Sequence, residues 1–222
     1  MLPKDKIQDK IMSRLKAALD PKSVAVIGAS ENPNKVGGRP VHYLDKFGFK
    51  GRIFPVNPSR SEIQGYKCYK SLADLPEAPE MVIVAVAGDN AIGAVDDCAA
   101  HGVKIAVVMA SGFGEVDAVA GKAKERRMVE VAHKAGMRIV GPNSQGLANF
   151  GTGAIASFST MFMDMDEPRA MSRCSARAVR SRRCRWVFCA SAASASATPA
   201  RRATTPTFPS VNSRSPSPRI PK

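Results

Sequence analysis

Paired cysteines, metal-ligand spacings and long apolar runs are what this sequence lacks. Five cysteines in 222 residues are an odd number, and no two stand at the spacing of a zinc or iron–sulfur site. That excludes a disulfide framework and points to reduced thiols in a cytoplasmic protein. No apolar stretch is long enough to span a bilayer, and no secretory leader opens the chain, so neither membrane nor export is expected. Only three histidines are present, His42, His101 and His133. All three fall in segments with helical patterning, none in a glycine-rich loop, and a structural role is expected for each.

Acidic residues are scarce in one region alone. Of 33 Lys and Arg and 19 Asp and Glu, the segment from Glu167 onward holds 12 basic residues and one acidic. The net charge of +14 therefore belongs mainly to the last quarter of the chain, and residues 1–166 carry only +3. A nucleic-acid binder read from the total charge would be misread, because a near-neutral domain precedes a basic tail. Some 150 residues suffice for one well-buried core.

That region is built from short β-branched runs at regular spacing. Ser23-Val24-Ala25-Val26-Ile27 leads into Gly28-Ala29-Ser30. Arg52-Ile53-Phe54-Pro55-Val56 follows, then Met81-Val82-Ile83-Val84-Ala85-Val86, Ile105-Ala106-Val107-Val108-Met109, and Met137 to Val140. Helical segments separate them, from Gly37 or Gly38 to Phe47, from about Asn90 to His101, and from about Val116 to Ala135. Gly48, Gly102 and Gly136 close these helices. Residues 59–79 read as irregular, with a short helix near 71–75. Residues 4–19 place Ile7, Ile11, Met12, Leu15 and Leu19 at helical spacing, an amphipathic lead-in helix that Asp20-Pro21 stops. Strand and helix in this alternation imply an α/β fold, a doubly wound parallel sheet with right-handed crossovers.

Ligands of such sheets lie at the carboxyl ends of the strands. The residues there are Gly28, Ala29 and Ser30; Asn57 and Pro58; Val86 and Ala87; Ser111, Gly112 and Phe113; and Gly141, Pro142 and Asn143. They are small or uncharged, a rim suited to phosphate and a thin ligand arm. No acid, base or nucleophile stands among them, so no catalytic and no metal-binding residue is assigned. An NAD site wants a carboxylate after the second strand. Here Asn57-Pro58-Ser59-Arg60 follows instead, and Arg60 suits a ribose phosphate, as in NADP or coenzyme A. Cys68 and Cys98 read as small buried apolar residues, and Glu115 as a carboxylate in the first turn of a helix.

Four motifs together carry a family resemblance. Gly-Ala-Ser-Glu-Asn-Pro-Asn-Lys-Val-Gly (28–37), Pro-Val-Asn-Pro (55–58), Ser-Gly-Phe-Gly-Glu (111–115) and Gly-Pro-Asn-Ser-Gln-Gly (141–146) resemble the CoA-binding domain of NDP-forming acyl-CoA synthetases, and more distantly succinyl-CoA synthetase α subunits. The resemblance covers about residues 20–162. It implies a Rossmann-like fold that binds coenzyme A, within enzymes that join a carboxylic acid to CoA with ATP or GTP cleavage through an acyl phosphate and a phosphohistidine. It places Gly28, Ala29, Ser30 and Lys35 at the CoA phosphates, and Asn57, Pro58 and Arg60 at the adenosine end. Val86, Ala87, Ser111, Gly112 and Phe113 would line the pantetheine path, and Asn143 would lie near the thiol. A proline often stands in the family where this chain has Ala87. The implied partners are CoA and an ATP-grasp domain or subunit.

The domains read from the sequence are a lead-in helix (1–19), the CoA-binding domain (20–166) and a disordered tail rich in Arg, Ser, Ala and Pro (167–222). A frameshift in a GC-rich gene produces such a tail. If the intended frame starts one base earlier, the stretch that follows Met171 can be read as VAMFSQSGA, and the continuation contains TGNDAD. Both resemble motifs of the family's second domain. The expected chain is thus a fragment that binds CoA and does not catalyse. The alternative is a stand-alone CoA- or NADP-binding module with a genuine basic arm, which would meet nucleic acid only nonspecifically.

Overall fold

The computed structural model describes Met12 and residues 15–165. The readings of a disordered tail and of most of the lead-in helix lie outside the described residues. Five strands form one parallel sheet: β1 (Ser23–Ile27), β2 (Arg52–Val56), β5 (Met81–Val84), β6 (Ile105–Val108) and β7 (Arg138–Val140), in the order β2-β1-β5-β6-β7. Helices α1 (Arg39–Lys46), α2 (Asp89–Ala100) and α3 (Ala120–Lys134) connect them. The chain steps from β1 outward to β2, then crosses back to β5 on the other side of β1. The winding reverses between β1 and β5, and a crevice opens there at the strands' carboxyl ends.

Alternation along each strand builds two cores. Ala25, Phe54, Val82, Val84, Ala106 and Val108 face α2 and α3, where they join Ala91, Val95, Cys98, Met128 and Ala132. Val24, Val26, Ile53, Met81, Ile83, Ile105 and Val107 face the opposite way and join Val41 and Leu44 of α1. Both faces of the sheet are covered, which is why its strands read as continuous apolar runs rather than as alternating ones.

Two hairpins were not foreseen. β3 (Glu62–Ile63) and β4 (Tyr66–Lys67) pair through Gln64 and Gly65, at φ 53° and 80°, inside the stretch read as irregular. Positive φ at both central residues is the type I′ turn of tight hairpins. β8 (Gly146–Asn149) pairs antiparallel with β9 (Ala154–Ser157) after the last parallel strand. This hairpin lies on α1: Ala148 and Ile155 join Tyr43, Phe47 and Phe162 in a third, aromatic cluster. Phe162 meets the Tyr43 ring edge-on at 5.6 Å and the Phe47 ring at 6.2 Å. Arg39 Nη1 donates to Phe158 O at 3.0 Å, the Tyr43 hydroxyl to Ser159 O at 2.8 Å, and Lys46 Nζ to Met163 O at 2.6 Å, so residues 158–163 run down the length of α1.

Three boundaries differ from expectation. β5 stops at Val84 rather than Val86. Ala85 N still donates to Ile27 O at 2.9 Å, but β1 has turned at Gly28 and no strand continues beside Val86. α3 starts at Ala120 rather than near Val116, because Asp117 Oδ1 accepts from Val119 N and Ala120 N, each at 2.8 Å, and caps the helix there. In the lead-in segment residues 15–19 are helical, yet Met12 and Leu15 are exposed and Ala17 is the buried residue. The short helix near 71–75 is a 3-10 turn over Leu72–Asp74, closed by mutual hydrogen bonds between Ser71 and Asp74.

Candidate functional site

The strand-end loops meet around the β1–β5 crevice. At its centre Gly28 adopts φ +81°, and a Cβ there would lie 2.8 Å from Val86 Cγ1 and 3.1 Å from Ala85 O. Only glycine lets the turn after β1 approach the turn after β5 so closely. Gly28 N donates to Val56 O at 3.0 Å, which binds the same turn to the end of β2. Gly37 and Gly38 then press the start of α1 onto this turn. A Cβ on Gly37 would stand 2.0 Å from Gly28 O, and one on Gly38 2.0 Å from Asn32 O. The glycines so set backbone against backbone and bring the positive end of α1 to the rim.

The turn from β1 to α1 is also clamped from outside. Gln64 Nε2 donates to Ser30 O at 2.8 Å and to Gly38 O at 3.0 Å, and Glu31 Oε2 accepts from Gln64 N at 2.9 Å. The sequence reading passed over Gln64, and the Gln64-Gly65 pair at a hairpin tip is the signal that could have found it. On the other flank Asn57 Nδ2 donates to Ala29 O at 2.9 Å, and Asn57 Oδ1 accepts from Ser59 N at 2.9 Å. The Asn57 amide is therefore used within the rim. Pro58 and Arg60 follow it on the surface, and Lys35 is exposed on the other side. Neither Lys35 nor Arg60 belongs to an ion pair among the described residues.

The loops after β6 and β7 complete the crevice's far side. Asn143, at φ +52°, donates its N–H to Ala110 O at 2.8 Å, and Ser144 N donates to Val108 O at 3.2 Å. Phe113 is buried at 1 % exposure, whereas Ser111 and Gly112 face solvent. Val86 is half-buried and Ala87 exposed. Glu115 lies in a single turn, closed by Val116 N and Asp117 N donating to Phe113 O, that precedes α3 rather than opening it. Its carboxylate folds back to accept from Gly112 N at 2.6 Å and from Phe113 N at 3.2 Å, since α3 begins five residues later. The Gly112 N–H foremost, with the N–H groups of Glu115 and Phe113, holds this carboxyl below its ordinary value.

This rim offers backbone N–H groups, Lys35 and Arg60 at the β1–β2 side, and the Glu115 carboxylate at the turn after β6. Among the described residues no group of His, Cys, Asp and Glu could hold a metal ion. Cys68 and Cys98 are free and buried, and burial pushes the Cys98 thiol up to about 12, so it stays protonated. His42 lies in α1, His133 in α3, and His101 caps α2, with Nδ1 2.8 Å from Asp97 O. A groove opens elsewhere, on the helical face between α2 and α3, and Lys124–Asp89 and Arg127–Asp96 ion pairs line it. Those exposed pairs contribute little, and the groove lacks the convergent backbone donors of the strand ends. No helix among the described residues is long and apolar enough to cross a membrane.

Comparison with known proteins places this geometry in a family. Over 139 residues the chain is 45% identical to acetate–CoA ligase (ADP-forming) II of Archaeoglobus fulgidus, covering 63% of this chain and 20% of that protein. It is 40% identical over 137 residues to the α subunit of acetate–CoA ligase (ADP-forming) I of Pyrococcus furiosus, covering 60% and 29%. A solved structure of the dinucleotide-forming acetyl-coenzyme A synthetase 1 of Ca. Korarchaeum cryptofilum, in complex with phosphate and ADP, superimposes with a TM-score of 0.61 at 38% identity, over 65% of this chain and 30% of that one. The chain thus spans less than a third of the length of these relatives. The profile described as "CoA binding domain" matches residues 22–149, from the residue before β1 to the end of β8, so all five strand-end loops fall inside it and the chain belongs to the CoA-binding domain family.

Proposed function

We propose that this chain binds coenzyme A at the crevice between β1 and β5, as the CoA-binding part of an NDP-forming acyl-CoA synthetase. The observation that carries the reading is that one family match spans every loop gathered at the strand ends. The chemistry of the rim suits the ligand. The Gly28 turn and the start of α1 meet the pyrophosphate, with Lys35 beside them. Arg60, beyond Asn57 and Pro58, meets the phosphate on the ribose. The neutral pantetheine arm runs past Val86 and Ala87 to Ser111, Gly112 and Phe113, and the thiol ends near Asn143.

None of the residues assigned to the ligand is a general acid or base, and on this reading the chain by itself binds and does not ligate. The ligase reaction, in which a carboxylic acid is joined to CoA as ATP or GTP is cleaved, needs an ATP-grasp domain or subunit as partner. Residues 167–222 are read as an out-of-frame segment, a reading that resequencing of the gene across codons 155–222 decides. A single-base slip supports it, and an unbroken frame as printed refutes it.

Calorimetric titration with CoA, dephospho-CoA and NADP tests the binding site. CoA binding with weaker dephospho-CoA binding and no NADP binding is expected. Binding of NADP without CoA would replace this reading with that of a dinucleotide-binding module.

A further inference from the structure

The loop between β6 and α3 satisfies its own backbone donors with carboxylates. Glu115 takes the N–H groups of Gly112 and Phe113, at 2.6 and 3.2 Å. Glu125, reaching back from α3, takes Gly114 N at 2.9 Å. Consecutive backbone N–H groups that converge on one anion form the kind of nest that elsewhere holds phosphate. Here the chain's own carboxylate fills it. A second anion at that point would meet a like charge.

At the strand end itself the exposed residues carry no charge, whereas the carboxylates of Glu115 and Asp117 follow them on the surface. Ser111 and Gly112 are exposed, and Gly112, at φ +99°, has no heavy atom within 4 Å of where a Cβ would stand. Phe113, buried in the core with α2 and α3, anchors the turn from below. Gly121 packs against it so tightly that a Cβ would lie 2.1 Å from Phe113 O. Lys35 and Arg60 lie on the opposite flank, and Lys122 of α3 runs beside Gly114 on this one.

We infer that Glu115 is a positioning and specificity residue of the crevice: its carboxylate fixes the turn of residues 111–113 and closes that turn's N–H nest to phosphate, so that this end accepts only an uncharged ligand segment. The inference rests on the CoA reading, in which that segment is the pantetheine arm. It gives the crevice a direction, with phosphates toward β1 and β2 and the neutral arm toward β6 and β7.

Full-length wild type, Glu115→Gln and Glu115→Ala test it with two readouts. The first is CoA affinity by calorimetry. The second is the amide resonances of Gly112 and Phe113 during titration with inorganic phosphate. Glu115→Ala is expected to weaken CoA about tenfold, or about 1.4 kcal/mol. Phosphate should shift both amides in Glu115→Ala and neither in wild type. Glu115→Gln keeps one acceptor oxygen and the side chain's size, so it guards against a misfolded alanine variant; about a threefold loss is expected. Equal CoA affinity in all three proteins would overturn the inference and leave CoA binding standing. Absence of CoA binding by wild type would overturn the CoA reading instead, and the phosphate response would then judge Glu115 alone: shifts confined to Glu115→Ala uphold the closed nest, and identical responses refute it.

Discussion

The side-chain amide of Asn57 donates to the carbonyl oxygen of Ala29 at 2.9 Å and so ties the turn after β2 to the turn after β1. Its other end accepts from Ser59 N at 2.9 Å, and its backbone N–H donates to Tyr69 O at 2.8 Å. An amide engaged at both ends has little left for a ligand. Asn57 shapes the rim on which Pro58 and Arg60 stand.

Asn57→Ala should therefore destabilise the domain by about 1 kcal/mol, the usual net loss for such bonds. Asn57→Asp should do worse, since it turns a carboxylate oxygen toward Ala29 O. Urea unfolding of the three proteins measures the order, and an aspartate variant more stable than the alanine variant would contradict it.

Glycine substitutions separate close packing from backbone conformation. Gly37→Ala drives a Cβ to 2.0 Å from Gly28 O, a clash only backbone movement relieves. A loss of about 3 kcal/mol and weakened CoA binding are expected. Gly48→Ala, at φ +67° but in open space at the far end of α1, should cost about 1 kcal/mol and leave CoA binding unchanged. Unfolding midpoints and CoA titrations of both variants check the contrast.

Glu80 gives the stability a defined acid limb. Burial alone would raise its carboxyl. Lys104 Nζ at 2.8 Å and Lys22 N at 2.9 Å outweigh that and hold it below its ordinary value of 4.5. A carboxyl lowered in the folded state stabilises above its unfolded value and loses that contribution as pH falls through the folded one. Glu80→Gln should be about 1 kcal/mol less stable than wild type at pH 7. The gap should narrow as pH falls below 4.5 and through the lowered folded-state value, where the carboxylate takes up its proton. Denaturation midpoints between pH 7 and pH 3 follow the gap, and a constant difference would exclude this linkage.

Arg60 is exposed and outside every ion pair among the described residues, so its removal should barely affect folding. On the CoA reading Arg60→Ala weakens CoA about fivefold, as for an exposed charge-assisted contact of about 1 kcal/mol. Dephospho-CoA, lacking the ribose phosphate, should bind wild type and variant alike. Equal losses for both ligands would move Arg60 away from that phosphate.

The central parallel strands were legible because β1, β5 and β6 are apolar runs buried on both faces, a pattern that survives without any partner; the edge strand β7, Arg-Ile-Val, is not fully buried anywhere. The loops of the crevice followed from strand polarity alone. Hairpin β8–β9 was not legible. Its strands read Gly-Leu-Ala-Asn and Ala-Ile-Ala-Ser, too small and too short to signal extended structure, and they take that form against Tyr43, Phe47 and Phe162. Glu115 was misplaced for a similar reason. A glutamate after Ser-Gly-Phe-Gly looks like the first turn of a helix, and only Asp117, capping Val119 and Ala120, defers the helix and frees Glu115 to fold back.

By itself the sequence determined the class of fold, the order of its strands along the chain and the small uncharged residues after each of them, because local apolar runs and glycine turns dictate these without long-range help. The tertiary structure decided the lateral order β2-β1-β5-β6-β7 and hence the crevice. It also decided which polar groups there are already spent: the Asn57 amide on Ala29, Gln64 on Ser30 and Gly38, and the Glu115 carboxylate on Gly112 and Phe113. Hydrogen-bond partners up to 34 residues apart meet only when the sheet is assembled, and no local pattern records which donors and acceptors the fold will consume.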